Sequence, residues 1–200
     1  DGNHKEKSLA FGAGGVMYVG IGSATNSCQR SDREAGSPGL EPCRELERRA
    51  GIWVFDADRP GQRFADGRRF ATGLRNPLAL AVQPETGTLF AAVHGRDQLG
   101  DNWGFSDEAS AENPAEELVT VGDGDDSGWP YCYYSSDYRK KVLAPEYGGD
   151  GRKVGVAVAR PEGDPTRMRP RGRFRRPPWP STPCSAASPT RAPATSRNRL

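Results

Sequence analysis

Two stretches of this chain read as copies of one another, and their spacing restricts the folds open to it. "LAFGAGGVMYVGI" begins at Leu9 and "LAVQPETGTLFAAV" begins at Leu80, 71 residues later. Each opens on Leu-Ala and an apolar residue, turns through a segment closing on Gly, and continues as an apolar strand. With one residue inserted in the second turn, Tyr18 and Phe90 take equivalent places. Between the copies lie "GIWVFDAD" and "RRFATGL", and "EELVTVG" follows the second copy. These runs are short, rich in Val, Ile, Phe and Leu, and bounded by Gly, Asp and Pro, as strands closed by tight turns are. About four strands fit into one repeat, and radially repeated four-stranded sheets make a β-propeller. A β-sandwich is the alternative that the same spacing allows. The expectation is an all-β chain forming a partial β-propeller of about two blades.

The pattern stops at Gly151, where the composition also changes. Residues 151–200 carry twelve Lys and Arg against Glu162 and Asp164, a net of +10, and nine of the 17 prolines. The first 150 residues carry 16 basic and 24 acidic side chains, a net of −8. A segment so poor in apolar residues buries too little surface to offset chain entropy. Residues 1–148 are therefore expected to be the propeller part and residues 149–200 a disordered basic tail. The abrupt change also motivates a sharper expectation, that the tail is translated out of frame; translating the other two frames of the coding DNA tests it. Phe174 and Trp179 are the tail's aromatic residues, and it carries no folded nucleic-acid motif, so no nucleic-acid partner is expected. There is no apolar run of about eighteen residues, hence no expected membrane span. The chain begins at Asp1 without a basic and apolar leader, so a secretory signal is expected to be absent or already removed.

"NHKEKSLAFGAGGVMYVGIGS", "GLRNPLALAVQP", "HGRDQLGD" and "SGWPYCY" occur in that order. Together they resemble the glucose/sorbosone dehydrogenases, in particular the sorbosone-dehydrogenase-like branch, over about residues 1–148. The resemblance implies a six-bladed propeller that binds pyrroloquinoline quinone (PQQ) and Ca²⁺ and oxidises a sugar or sugar-aldehyde. It also implies an electron acceptor that the sequence does not specify, and a periplasmic or secreted location.

By the same resemblance, His4 is the base that takes the substrate's hydroxyl proton, work that suits an imidazole near neutral pH. Relatives often have Asp before this His, where this chain has Asn3. Arg75 and Asn76 contact the quinone, Arg75 also stabilising charge on its oxygens, since a guanidinium is always charged and offers forked donors. Gly95 and Arg96 supply backbone carbonyls to Ca²⁺, with Asp97 and Asp101 as nearby acids; calcium takes several oxygen ligands, backbone ones included. Each feature has a plainer reading: a solvated His near the chain end, an ordinary "RNP" turn, and a surface Arg-Asp pair.

Asp123 to Gly128, "DGDDSG", matches the start of an EF-hand loop, but Tyr134 stands where that loop needs a bidentate Glu. It reads instead as a loop between strands, and Trp129-Pro130-Tyr131 as a core and rim motif. Cys28 and Cys43 bracket a polar loop that a disulfide would restrain in an oxidising compartment, which agrees with an exported family. Cys132 has no obvious mate, Cys184 lies in the tail, and the spacings fit no zinc pattern.

The leading expectation is a fragment of a quinone-dependent sugar dehydrogenase. A partial ring leaves unpaired strand edges, so the isolated chain is expected to be inactive and marginally folded. The alternative is a non-catalytic extracellular propeller that binds without reacting, since this architecture hosts many functions. A propeller lactonase would need metal-binding side chains converging on the channel, and the sequence offers no such set.

Overall fold

The computed structural model describes residues 2–112 and 115–152. The expectations for the basic tail, including its reading frame and Cys184, fall on residues outside these.

Strands β1 (Leu9–Gly12), β2 (Val16–Ile21), β3 (Gly51–Asp56) and β4 (Arg68–Thr72) form one antiparallel sheet in sequential order. This is a complete blade. A second sheet contains β5 (Pro77–Val82), β6 (Leu89–Val93) and β7 (Glu117–Val121), again in sequential order. Short helices α1 (Leu99–Trp103) and α2 (Asp107–Glu112) interrupt the path from β6 to β7. A hairpin of β8 (Cys132–Ser135) and β9 (Lys140–Leu143) follows. The architecture is a partial β-propeller, and the repeat read from sequence is real at the level of register. Ala10 pairs with Tyr18 across β1 and β2, and the equivalent Ala81 pairs with Phe90 across β5 and β6.

The two sheets share a core. Ile52 and Leu74 are fully enclosed and pack with Leu89, Val93 and Val121, while Ala10, Ala71 and Ala91 keep the layers close. Tyr18 meets Phe70 edge-on, with ring centroids 5.0 Å apart, a favoured arrangement of aromatic quadrupoles. Pleating puts alternate residues of a strand on one face. On β1, the first strand of its sheet, Leu9 and Phe11 share a face and are 52% and 64% exposed, as expected of an open ring.

The route between blades is pinned at Gly73. Its φ of +74° suits glycine, and a Cβ there would stand 2.2 Å from Asp126 Oδ1 and 2.6 Å from the Gly128 nitrogen. Residues 124–129 run alongside this exit, with Thr72 N–H donating to the Asp125 carbonyl and Trp129 N–H to the Gly73 carbonyl. The acidic "DGDDSG" segment is thus a seam stitched to the first blade. Its carboxylates cap nearby turns: Asp125 accepts from Gly122 N–H and Asp126 from Gly128 N–H.

Residues 22–50 make a long polar loop closed by the Cys28–Cys43 disulfide. Among the described residues no cysteine is free, Cys132 included. Beneath the loop, Cys28, Cys43, Leu46, Trp129 and Tyr131 form a second core, against which Tyr147 packs. No helix of the described residues is long and apolar enough to cross a membrane.

Candidate active site

The charged ends of the second inner hairpin meet at one rim. β5 leaves from Asn76 and β6 returns to His94, whose N–H donates to the Asn76 carbonyl at 3.1 Å. Arg75 and Gly95 therefore stand side by side, and Arg75 Nη1 donates to the Gly95 carbonyl at 2.8 Å. The neighbouring inner hairpin brings its own end to the same place, with Ser23 N–H donating to the Arg75 carbonyl at 2.8 Å.

His4 enters just before β1 and is buried. Its Nδ1 lies 3.1 Å from the Ser23 carbonyl and 2.9 Å from Ser23 Oγ. The carbonyl only accepts, and the Ser23 hydroxyl spends its proton on the Thr25 carbonyl at 2.7 Å. Nδ1 must then carry the hydrogen, which leaves Nε2 as the basic nitrogen of the neutral ring. Nε2 has no hydrogen-bond partner among the described residues. Burial lowers the His4 pKa from its ordinary 6.5 and the nearby Arg75 charge lowers it further, so the ring stays neutral at physiological pH. Where a carboxylate is absent before the His, Ser23 does the orienting; Asn3 turns away and donates to Asp32 Oδ2.

Gly22 is the hinge of this packing. A Cβ there would sit 2.5 Å from His4 Cβ and 2.8 Å from Asn76 Oδ1, so only glycine lets His4 and Asn76 flank one backbone.

Arg75 is buried and makes five contacts, four of them to neutral oxygens. Its Nε donates to the Asn26 carbonyl and to Asn26 Oδ1, each at 3.1 Å, and its Nη2 reaches the same Oδ1 at 2.6 Å. The charged partner is Asp97, 3.1 Å from Nη2 and 40% exposed. Burial lowers the Arg75 pKa to about 10, opposed by Asp97, so the group stays cationic at neutral pH.

Arg96 lies next to it under different conditions. Its guanidinium pairs with Glu146, which is fully buried and also accepts from Ser27 Oγ at 2.8 Å and Trp103 Nε1 at 3.0 Å. Three guanidinium groups surround Asp97: Arg75, Arg96 at 3.7 Å and Arg33 at 3.8 Å. With Arg96 paired to Glu146, and Arg33 also 4.0 Å from Asp32, the cations Arg75 and Arg33 face the carboxylates Asp97 and Asp32.

The structure thus gathers His4, Arg75, Asn76, Gly95, Arg96 and Asp97. It does not gather Asp101, which is exposed in the first turn of α1 and makes no hydrogen bond or ion pair among the described residues. Among those residues no group of three His, Cys, Asp or Glu side chains forms a metal cluster. The sequence reading missed Asn26, Ser23 and Glu146. Their roles depend on chain crossings of 19 to 119 residues that local pattern does not carry.

The family model described as TrAA12-like matches residues 4–150, from the rim histidine to the end of the last short turn. The chain belongs to the TrAA12-like family. Two solved structures of the Trichoderma reesei Carbohydrate-Active Enzymes Family AA12 are similar to it. The iodide structure has a TM-score of 0.56 and 20% identity, and the calcium structure 0.55 and 19%; each comparison covers 78% of this chain. A glucose dehydrogenase structure also matches, with a TM-score of 0.43 and 21% identity over 72% of this chain and 36% of its own. At such identity the AA12 likeness is one of fold. The chain spans about 40% of the length of the AA12 structures. No curated protein matches it.

Proposed function

We propose that this TrAA12-like chain is part of a quinone-dependent enzyme that oxidises a sugar or sugar-aldehyde. The observation that carries the reading is the convergence, at one rim, of a neutral histidine with a free Nε2 and a buried arginine held mostly by neutral oxygens. A base beside a fixed cation is what proton removal coupled to delivery of charge onto an acceptor requires.

The residues fit an anionic quinone. Arg75 and the Asn76 amide are donors, and Arg33 adds a partly exposed cation within reach of both Asp32 and Asp97. When bound beside these residues, PQQ would supply the two-electron acceptor. Calcium fits less completely. The Gly95 carbonyl and Asp97 Oδ1 both accept from Arg75, so Gly95, Arg96 and Asp97 form a partial oxygen set, and Asp101 stands apart. An ion held there would need more oxygens than these residues supply.

The protein's own part in the reaction is local. His4 Nε2 accepts the proton of the substrate hydroxyl, while Ser23 keeps the ring in the tautomer that leaves Nε2 basic. Arg75 offers positive charge where negative charge develops. The disulfide and the family resemblance support a periplasmic or secreted enzyme. Sorbosone and aldoses are the proposed substrates.

The full-length protein containing this chain, supplied with PQQ and Ca²⁺, is expected to reduce an artificial electron acceptor at the expense of aldoses or sorbosone. Absence of any such oxidation, with PQQ bound, would favour a non-catalytic binding propeller instead.

A further inference from the structure

Asn26 has a place in the fold that its surroundings in sequence do not foreshadow. It lies two residues before Cys28, just outside the ring that the Cys28–Cys43 disulfide closes, and is completely buried. Its side-chain oxygen takes two N–H groups of Arg75, and its backbone carbonyl takes a third contact from Arg75 Nε. Asn26 is itself held on every polar edge. Its N–H donates to Asp32 Oδ1 at 2.8 Å, its carbonyl also accepts from Trp129 Nε1 at 3.0 Å, and its amide nitrogen donates to Gln98 Oε1 at 3.3 Å.

We infer that Asn26 is a positioning residue for Arg75, a neutral clamp that fixes the guanidinium and adds no negative charge to that of Asp97, its one carboxylate partner among the described residues. The alternative partner in chemical terms is a carboxylate, and the chain uses one for Arg96. A buried carboxylate at residue 26 would hold Arg75 as firmly but put a second negative charge beside it, buried where Asp97 is half-exposed. An amide supplies the same acceptor geometry and no charge. Anchoring of residue 26 by the disulfide, Trp129, Asp32 and Gln98 then makes the orientation of Arg75 a property of the loop. This inference rests on the proposed quinone reading for its consequence, though not for its geometry.

Two variants of the full-length protein separate these parts, with thermal melting as a check that each folds. In the first arm, ¹⁵N NMR follows hydrogen exchange of the Arg75 Nη2–H, which reaches Asn26 through its side-chain oxygen alone. The wild type is expected to protect it. Asn26→Ala is expected to exchange it at least about tenfold faster, the scale of a lost hydrogen bond to a charged group. Asn26→Asp, which keeps an oxygen acceptor, retains the protection. Equal protection in Asn26→Ala and wild type overturns the positioning role. So does loss of protection in a folded Asn26→Asp, which keeps the clamp available should Asn26→Ala not fold.

In the second arm PQQ affinity is measured by titration. Asn26→Asp is expected to bind at least about tenfold more weakly than wild type although Arg75 stays ordered. Wild-type affinity in that variant overturns the claim that neutrality matters. A wild type that binds no PQQ sinks the proposed function, while the exchange arm still decides the role of Asn26.

Discussion

Arg75 and Arg96 are two buried arginines around the same aspartate, and the molecule treats them in opposite ways. Arg96 has a fully buried carboxylate of its own in Glu146, which is further tied by Ser27 and Trp103. Arg75 receives the amide and carbonyl oxygens of Asn26 and the Gly95 carbonyl, and shares the half-exposed Asp97 with its neighbours. The difference separates scaffold from chemistry. A cation enclosed with its own buried carboxylate fixes a loop, whereas a buried cation whose one carboxylate is half-exposed can still act on whatever binds beside it.

That contrast breaks most visibly if Glu146 is removed. Glu146→Ala strands the Arg96 charge in the interior and is expected to cost about 3–5 kcal/mol of stability, read by denaturant unfolding. Separating the loop from its anchor comes next. Replacing Cys28 and Cys43 by Ser opens a loop with a sequence separation of 15 and is expected to cost about 3 kcal/mol by thermal or denaturant melting. The same change should loosen Asn26 and Ser27, which directly precede Cys28, and through them both Arg75 and Glu146. Arg75→Met should be milder for the fold, about 1–3 kcal/mol for the acceptors left unsatisfied, and far more damaging to quinone binding. If Arg75→Met destabilises more than Glu146→Ala, the division proposed here is wrong.

The smallest effect is a pH dependence at His4. Its folded pKa lies below its unfolded value of about 6.5, so the unfolded state takes up the proton more readily. The His4 contribution favours the fold above that value and is lost as pH falls through the folded pKa. His4→Gln should flatten the stability profile on the acid side of pH 6.5 while leaving the alkaline side unchanged. A profile identical to wild type would place His4 in solvent.

The blade was legible because its information is local. Leu9 to Ile21 and Leu80 to Val93 carry their own turns, and the Ala–Tyr and Ala–Phe registers follow from them. The meeting of Arg75 with Gly95 was legible for the same reason, since a hairpin must return to where it left. The β8–β9 hairpin was not, because Lys140 and Lys141 break the apolar alternation of its second strand. Lys141 is buried there only by pairing with Glu117 at 2.6 Å, a contact between separate sheets. Helices α1 and α2 are too short for a helical period to show. Asn26 is one polar residue in "GSATNSCQ", and nothing in that run says that its partner lies 49 residues away.

The most direct test of the account is a PQQ titration of the full-length protein and its Arg75→Met variant, followed by tryptophan fluorescence, with melting recorded for both. The account predicts saturable binding by wild type and at least about tenfold weaker binding by a variant that still melts cooperatively. Equal affinity in the two proteins would contradict it, because the cation that the Asn26 clamp holds in place would then serve no ligand.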